Sequence, residues 1–277
     1  MKINAYAKIN LTLDITGIRP DKFHSIRSVM VPVSLCDVIT VEKSNIFSFD
    51  CNIKSLVSDD NLCVRAARLF LAENGINENV SIYLEKNIPF PAGLGGGSSD
   101  AAAILNALNE TFGCPMNRDR LLSLAAQLGS DIPFCLLCAP ALCEGRGELI
   151  TPVSNIPQMD IVIAIGEGRL PTPEVYRRYD EAGLEIRNDT EKLINAIKEG
   201  SGITALLGNA FEPVTDILAP ETKKLRELMR SLGAKNSRLS GSGPSVYGVF
   251  EKSEEAENAA KMLTEMGYFA VSCKTLS

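Results

Sequence analysis

Four of the five residues Gly93-Leu94-Gly95-Gly96-Gly97 are glycine, and Ser98 and Ser99 follow at once. Without Cβ atoms, such a backbone can approach a ligand closely and take positive φ values. An alternating segment (Val80, Ile82, Leu84) precedes the run, and helix-forming residues from Ala101 to Asn109 follow it. The serines therefore stand where a helix begins, and the free amides of a helix N-terminus favour phosphate. The run is not a Walker A loop, because GK[ST] is absent. It is not the dinucleotide fingerprint GxGxxG either, because Ser98 takes the last glycine position. The ordinary alternative is a glycine turn capped by Ser98 or Ser99 that binds nothing. Glycine costs up to about 1 kcal/mol relative to alanine at each ordered position, so an idle run of this kind is a poor use of stability. The spacing predicts a phosphate-binding loop.

Other polar residues read less clearly by themselves. Asp131 follows Gly129 and precedes Pro133, which alone suits an N-cap for the apolar segment beginning at Ile132. Lys8 and Asn10 fall between apolar neighbours in an alternating run. That makes Lys8 an exposed strand lysine by default, although asparagine is a poor strand residue. His24 is the single histidine, which excludes HExxH zinc sites and multi-histidine centres; any Ser-His-Asp or Cys-His chemistry would have to run through it. Eight cysteines are present. Cys135-Leu136-Leu137-Cys138 has CxxC spacing, but a zinc site needs two more ligands, so a buried apolar helix with reduced thiols is expected.

The elements that must position these residues follow from periodicity. Ile3, Ala5, Ala7, Ile9, Leu11, Leu13 and Ile15 alternate with polar residues, predicting one half-buried strand with Lys8 and Asn10 on its polar face. A turn is expected over Gly17–Asp21, then strands at Val29–Val33 and Val38–Glu42. Ser58-Asp59-Asp60 should cap a helix to about Asn74, closed by Gly75. Asn117–Leu128 reads as an amphipathic helix stopped by Gly129, and Glu148–Val153 as a strand. Thr151–Pro157 is the best linker, dividing the chain into domains at 1–156 and 157–277. Beyond it, strands at Ile161–Ile165, Ser245–Phe250 and Phe269–Lys274, with a helix at Glu254–Met266, predict a ferredoxin-like α+β sandwich.

The bulk numbers agree with a two-domain enzyme. The chain has 277 residues, 45% of them hydrophobic and 22% charged. Its net charge of -6 makes nucleic acid an unexpected partner. An alternating start instead of a secretory signal, and no apolar run near the ~20 residues of a membrane span, point to a cytoplasmic protein with no membrane partner.

The segment from Pro89 to Ala102 (PFPAGLGGGSSDAA) resembles the ATP signature of the GHMP kinases, the superfamily of galactokinase, homoserine kinase and mevalonate kinase. Ala7-Lys8-Ile9-Asn10-Leu11 resembles its first motif, and Leu239-Ser240-Gly241-Ser242-Gly243-Pro244-Ser245 its third. Within it, the AKINL start, Phe23-His24, Gly129–Phe134 and Pro171-Thr172-Pro173 are similar to one branch, whose acceptor is a diphosphocytidyl sugar alcohol on the non-mevalonate route to isoprenoid precursors.

The resemblance implies a two-domain α+β fold, with an N-terminal domain like ribosomal protein S5 and a ferredoxin-like C-terminal domain. It implies ATP and Mg²⁺ as cofactors. ATP would contact Asn61 and Leu62 near adenine, Lys86 ahead of the loop, and Pro89, Phe90, Pro91, Ala92, Gly93, Leu94, Gly95, Gly96, Gly97, Ser98, Ser99 and Asp100. Ser98 or Ser99 is the candidate Mg²⁺ ligand, and few protein ligands are expected because Mg²⁺ keeps most of its waters. Asp131 becomes the general base toward the acceptor hydroxyl, with Lys8 paired to it. Asn10, Phe23, His24, Arg146, Thr172, Pro173 and Tyr176 would bind the acceptor, with the aromatics holding its base. Members usually carry Gly-Tyr-His where this chain has Lys22-Phe23-His24; phenylalanine stacks as well but lacks the hydroxyl. Two rivals remain. One is a GHMP kinase for mevalonate, homoserine or a sugar, which would have no base to sandwich. The other is an inactive nucleotide-binding regulator, which should have lost Lys8 or Asp131.

Overall fold

The computed structural model describes residues 1–166, 168, 170–184 and 188–276. In chain order the elements are β1 (Lys2–Asn10), β2 (Thr12–Ile18), β3 (His24–Ser44), β4 (Ser48–Cys51), α1 (Leu62–Glu73), β5 (Asn79–Glu85), α2 (Gly96–Thr111), α3 (Arg118–Leu128) and α4 (Ile132–Leu137). There follow β6 (Ala141–Gly145), β7 (Leu149–Pro152), β8 (Asp160–Ile165), α5 (Thr172–Ala182), α6 (Asp189–Glu199), β9 (Gly208–Asn209), α7 (Glu212–Leu218), α8 (Pro220–Ser231), β10 (Asn236–Leu239), β11 (Ser245–Phe250), α9 (Ser253–Glu265) and β12 (Phe269–Lys274). Among the described residues no helix is long and apolar enough to cross a membrane.

The chain groups into two compact units. The first holds Met1–Lys8, Leu35–Phe90 and Gly95–Cys138. Here β5 pairs antiparallel with the later half of β3 and parallel with β4. α1, α2, α3 and α4 pack on one another. Phe70, Ile39, Ile82, Leu84, Ile104 and Leu108 fill their shared core. α2 is buried over most of its surface, which its alanines permit by letting neighbouring helices approach closely.

The second unit holds Ile9–Ser34, Pro91–Leu94 and Ala139–Ser277. Its antiparallel sheet runs β10-β11-β8-β12, with α8 and α9 packed against it. Taking β8, α8, β10, β11, α9 and β12 in sequence gives the β-α-β-β-α-β order of the ferredoxin-like sandwich that the periodicity predicts. α5, α6 and α7 are inserted ahead of α8. β11 is buried along its whole length, as a central strand should be.

Several boundaries differ from the sequence expectation. The long first strand is two strands, broken by a bend at Leu11. Its supposed polar face is buried: Lys8 is 4% exposed, Asn10 1%, Thr12 0% and Asp14 2%. All four polar groups have internal partners, namely the Asp131 carboxylate for Lys8, Ser28 Oγ for Asn10, the Val29 amide for Thr12 and the Thr190 amide for Asp14. Alternation detects two faces but does not say which one meets water. β2 continues through Gly17 to Ile18, so the turn is confined to the Pro20–Asp21 region. The segments 29–33 and 38–42 belong to one strand, β3, 21 residues long. α1 begins later than expected, because Asn61 caps it and Ser58–Asp60 do not. The CxxC segment is helical only to Leu137; Cys138 takes a left-handed conformation and the chain turns into β6. The cysteines are free thiols, and no cluster of metal-ligating side chains occurs among the described residues.

Candidate active site

The glycine loop ends in the N-terminus of α2, but the helix opens earlier than the serines suggest. Gly95 is its N-cap with φ +68°, and Gly96 is its first residue. Glycine at 95 is required twice over. The left-handed conformation disfavours a side chain, and a Cβ there would lie 2.9 Å from Lys8 Cγ. The chain thus passes directly over the Lys8 side chain as it enters the helix. Ser99 is buried and donates its hydroxyl to the Tyr6 carbonyl at 2.7 Å, while Ser98 stays half-exposed. Leu62 lies beside the loop, 3.6 Å from where a Gly97 Cβ would be. Asn61 is used as a cap: its Oδ1 accepts from the Cys63 amide at 2.9 Å, and its Nδ2 donates to the Leu56 carbonyl at 2.9 Å.

Asp131 sits at the N-cap position of α4, as the bland reading predicts, but its side chain makes no cap hydrogen bond. Its carboxylate instead lies 3.7 Å from the Lys8 ammonium. Lys8 is almost fully enclosed and Asp131 about one-third exposed, so the pair presents its acidic member to solvent. This is the arrangement expected of a base held beside a fixed cation.

Beneath the loop lies a second ionic cluster. Lys86 Nζ donates to Asp37 Oδ2 at 2.5 Å and to Asp100 Oδ2 at 2.7 Å, and all three side chains are buried. Asp37 Oδ1 also accepts the amides of Asn87 at 2.5 Å and Ile88 at 2.7 Å. Burial raises the Asp100 carboxyl to about 8, with Asp37 adding to the shift and Lys86 opposing it. Both carboxylates raise the Lys86 ammonium, against a desolvation cost that lowers it.

The sequence-predicted acceptor residues lie in the second unit. The His24 ring lies 4.6 Å from that of Tyr176, and His24 Nε2 is 2.7 Å from Asp180 Oδ1. Tyr176 meets Phe211 edge-on at 4.8 Å. Phe23 is exposed, and the Arg146 guanidinium lies 5.3 Å from its ring centre. His24 and Asp180 also line a recess of about 190 Å³. Thr172 and Pro173 open α5, and Thr172 hydrogen-bonds Ser242 of the third motif at 2.8 Å. Asn10 Nδ2 donates to Ser28 Oγ at 2.7 Å. At the start of the loop, Ser240 Oγ donates to the Gly93 carbonyl at 3.1 Å and the Ser245 amide to Ala92 at 3.2 Å. A Cβ on Gly93 would come within 2.4 Å of the Ser240 carbonyl, so the third motif packs directly on the first half of the loop.

Comparison with known proteins shows the family of the chain. Residues 61–139 match the model of the GHMP kinase N-terminal domain and residues 185–268 that of the C-terminal domain. The 4-diphosphocytidyl-2-C-methyl-D-erythritol kinase of Caldicellulosiruptor saccharolyticus is 40% identical over 95% of this chain and 92% of its own. The chain belongs to this family of GHMP kinases. The enzyme of the same name from Alkaliphilus metalliredigens is 36% identical over 95% of this chain and 92% of its own. A crystal structure of 4-(cytidine 5'-diphospho)-2C-methyl-D-erythritol kinase, 34% identical, superposes with a TM-score of 0.88 over all of both chains. Mevalonate kinase of L. major shares the fold at 13% identity, with a TM-score of 0.79 over 99% of this chain and 95% of its own.

Three residues that contact the sequence-predicted ones were not singled out in the sequence. Asp37 lies inside β3, where an aspartate among Val, Ile and Leu looks like a chance polar residue. Asp180 is one acidic residue in a charged stretch of α5. Phe211, under Tyr176, looks like ordinary core. A lone carboxylate in an apolar strand was the readable clue for Asp37, since buried charge needs a partner.

Proposed function

We propose that this GHMP kinase transfers the γ-phosphoryl group of ATP to the 2-hydroxyl of 4-diphosphocytidyl-2-C-methyl-D-erythritol, in non-mevalonate isoprenoid precursor synthesis. The observation that carries the transfer step is the Asp131 carboxylate, unused as a cap and 3.7 Å from a buried lysine that touches the glycine loop. Phosphoryl transfer needs positioning and charge compensation more than covalent help. Asp131 accepts the hydroxyl proton as that oxygen attacks the γ-phosphorus, and the ADP oxygen leaves. Lys8 holds the carboxylate in place and offsets the charge gathering on the transferred group. Amides from Gly95 to Ser98, which precede the first intrahelical bond from Ser99, receive the phosphates at the helix N-terminus.

Mg²⁺, when bound, neutralises phosphate charge. No cluster of acidic side chains among the described residues is ready for it, so phosphate oxygens and water would supply most ligands. Ser98 suits a direct or water-mediated contact better than Ser99, whose hydroxyl is engaged by Tyr6.

His24, Tyr176 and Phe23 form the base site, with Arg146, Asn10, Thr172 and Pro173 as further acceptor contacts; Lys86, Asn61, Leu62 and the run from Pro89 to Asp100 serve ATP. The partners are then these two small molecules, without nucleic acid or membrane, in the cytoplasm. ATP consumption against a panel of acceptor alcohols tests the proposal. Turnover with the cytidyl compound is expected; turnover of mevalonate or homoserine in its place would reject the substrate.

A further inference from the structure

Asp37 takes no part in the chemistry above, yet it is fully buried and its two oxygens are used three times. Oδ1 accepts from two successive amides, those of Asn87 and Ile88, immediately ahead of Pro89. Oδ2 accepts from Lys86. Lys86 in turn reaches past the loop to Asp100, in the second turn of α2. The glycine run from residue 93 to 97 is therefore bracketed. Its incoming strand end is held by Asp37, and its outgoing helix is held to the same point by Lys86. The fit is close, since a Cβ on Gly96 would lie 2.9 Å from Lys86 Nζ. A glycine-rich segment has no side chains with which to fix its own shape, so its conformation must be imposed from outside.

We propose that Asp37 is a positioning residue for ATP. Acting through Lys86 and the 87–88 amides, it fixes the spacing between strand and helix at which the loop amides converge on phosphate. It touches no substrate. Lys86, in this arrangement, is the strut of the clamp, with its ammonium held between the Asp37 and Asp100 side chains. The inference rests on the reading that the glycine loop holds the phosphates of ATP.

Asp37→Asn is the informative variant, because it leaves Lys86 paired with Asp100 and keeps an oxygen for the amides. The KM for ATP should rise about tenfold or more, as expected for losing a charge-assisted hydrogen bond that sets geometry. kcat at saturating ATP and the KM for the acceptor should stay within about twofold. A folded Asp37→Asn enzyme with unchanged ATP KM, or with both KM values raised alike, overturns the proposal. Lys86→Met and the double variant Asp37→Asn/Lys86→Met complete a cycle. If Asp37 works through Lys86, the double variant is no worse for ATP than Lys86→Met alone; additive losses would mean that the two act separately and would reject the clamp. The comparison of these last two also stands should Asp37→Asn fail to fold. Gly95→Ala separates this inference from the reading beneath it. If Gly95→Ala raises the ATP KM and Asp37→Asn does not, the clamp alone is wrong. If neither moves it, the loop is not the ATP site.

Discussion

Asp131 shows how little a residue's position says about its use. It occupies an N-cap position that aspartate commonly fills, yet its side chain is turned to Lys8. Two measurements on Asp131→Ala should therefore part company. kcat is expected to fall at least ~10²-fold, as for loss of a general base. Thermal stability should change little, since no cap bond is lost. A variant that is less stable but nearly as fast would return Asp131 to a capping role. The aromatic residues allow a parallel test. Phe23→Ala and Tyr176→Ala should each raise the KM for the cytidyl acceptor and leave that for ATP alone. Steady-state kinetics with each substrate varied in turn would show it, and an acceptor KM that stays put would remove these rings from the base site.

At the scale of elements, α1 and α2 begin in opposite ways. α1 starts with a side-chain cap from Asn61, and α2 starts with a bare glycine whose amides have no such cap. A helix start left uncapped by the protein is one available to an anion. Asn61→Ala should cost about 1 kcal/mol of stability, read by chemical denaturation, because its cap bond is lost. Most elements were legible in the sequence for a simple reason. Gly129, Gly75 and the turn residues punctuate it, and β5, α3, β8, β11, α9 and β12 carry plain periodicities. The glycine loop and the place of Asp131 were legible too. What escaped was long-range. Nothing local says that β3 would swallow two predicted strands, that Lys8 would be enclosed, or that Asp37 would find Lys86 across 49 positions of chain. Burial and ion pairing are set by the partner, and one chain segment does not contain its partner.

For the molecule as a whole, the buried triad makes stability depend on pH. Asp100 keeps its proton to about 8 when folded, and an unfolded aspartate releases it near 3.9. The folded chain therefore binds more protons between these values. Stabilisation from this group is complete below about pH 4, declines as pH rises, and is lost above about pH 8. Asp100→Asn has no proton to lose, so its melting temperature should fall less between about pH 5 and pH 9 than that of the wild type. Parallel slopes in thermal melts across that range would show that another group sets the dependence.

The close approach of Gly95 to Lys8 has an evolutionary consequence. A side chain at 95 is opposed by backbone conformation and by the stem of Lys8, whose ammonium the proposed function assigns to phosphoryl transfer. Shortening Lys8 would relieve only the collision and would discard the charge. No compensating change at a second site restores both, so neutral drift has no route through this position. Gly95 and Lys8 should be inherited together, and a descendant lacking one has given up the pressure to keep the other.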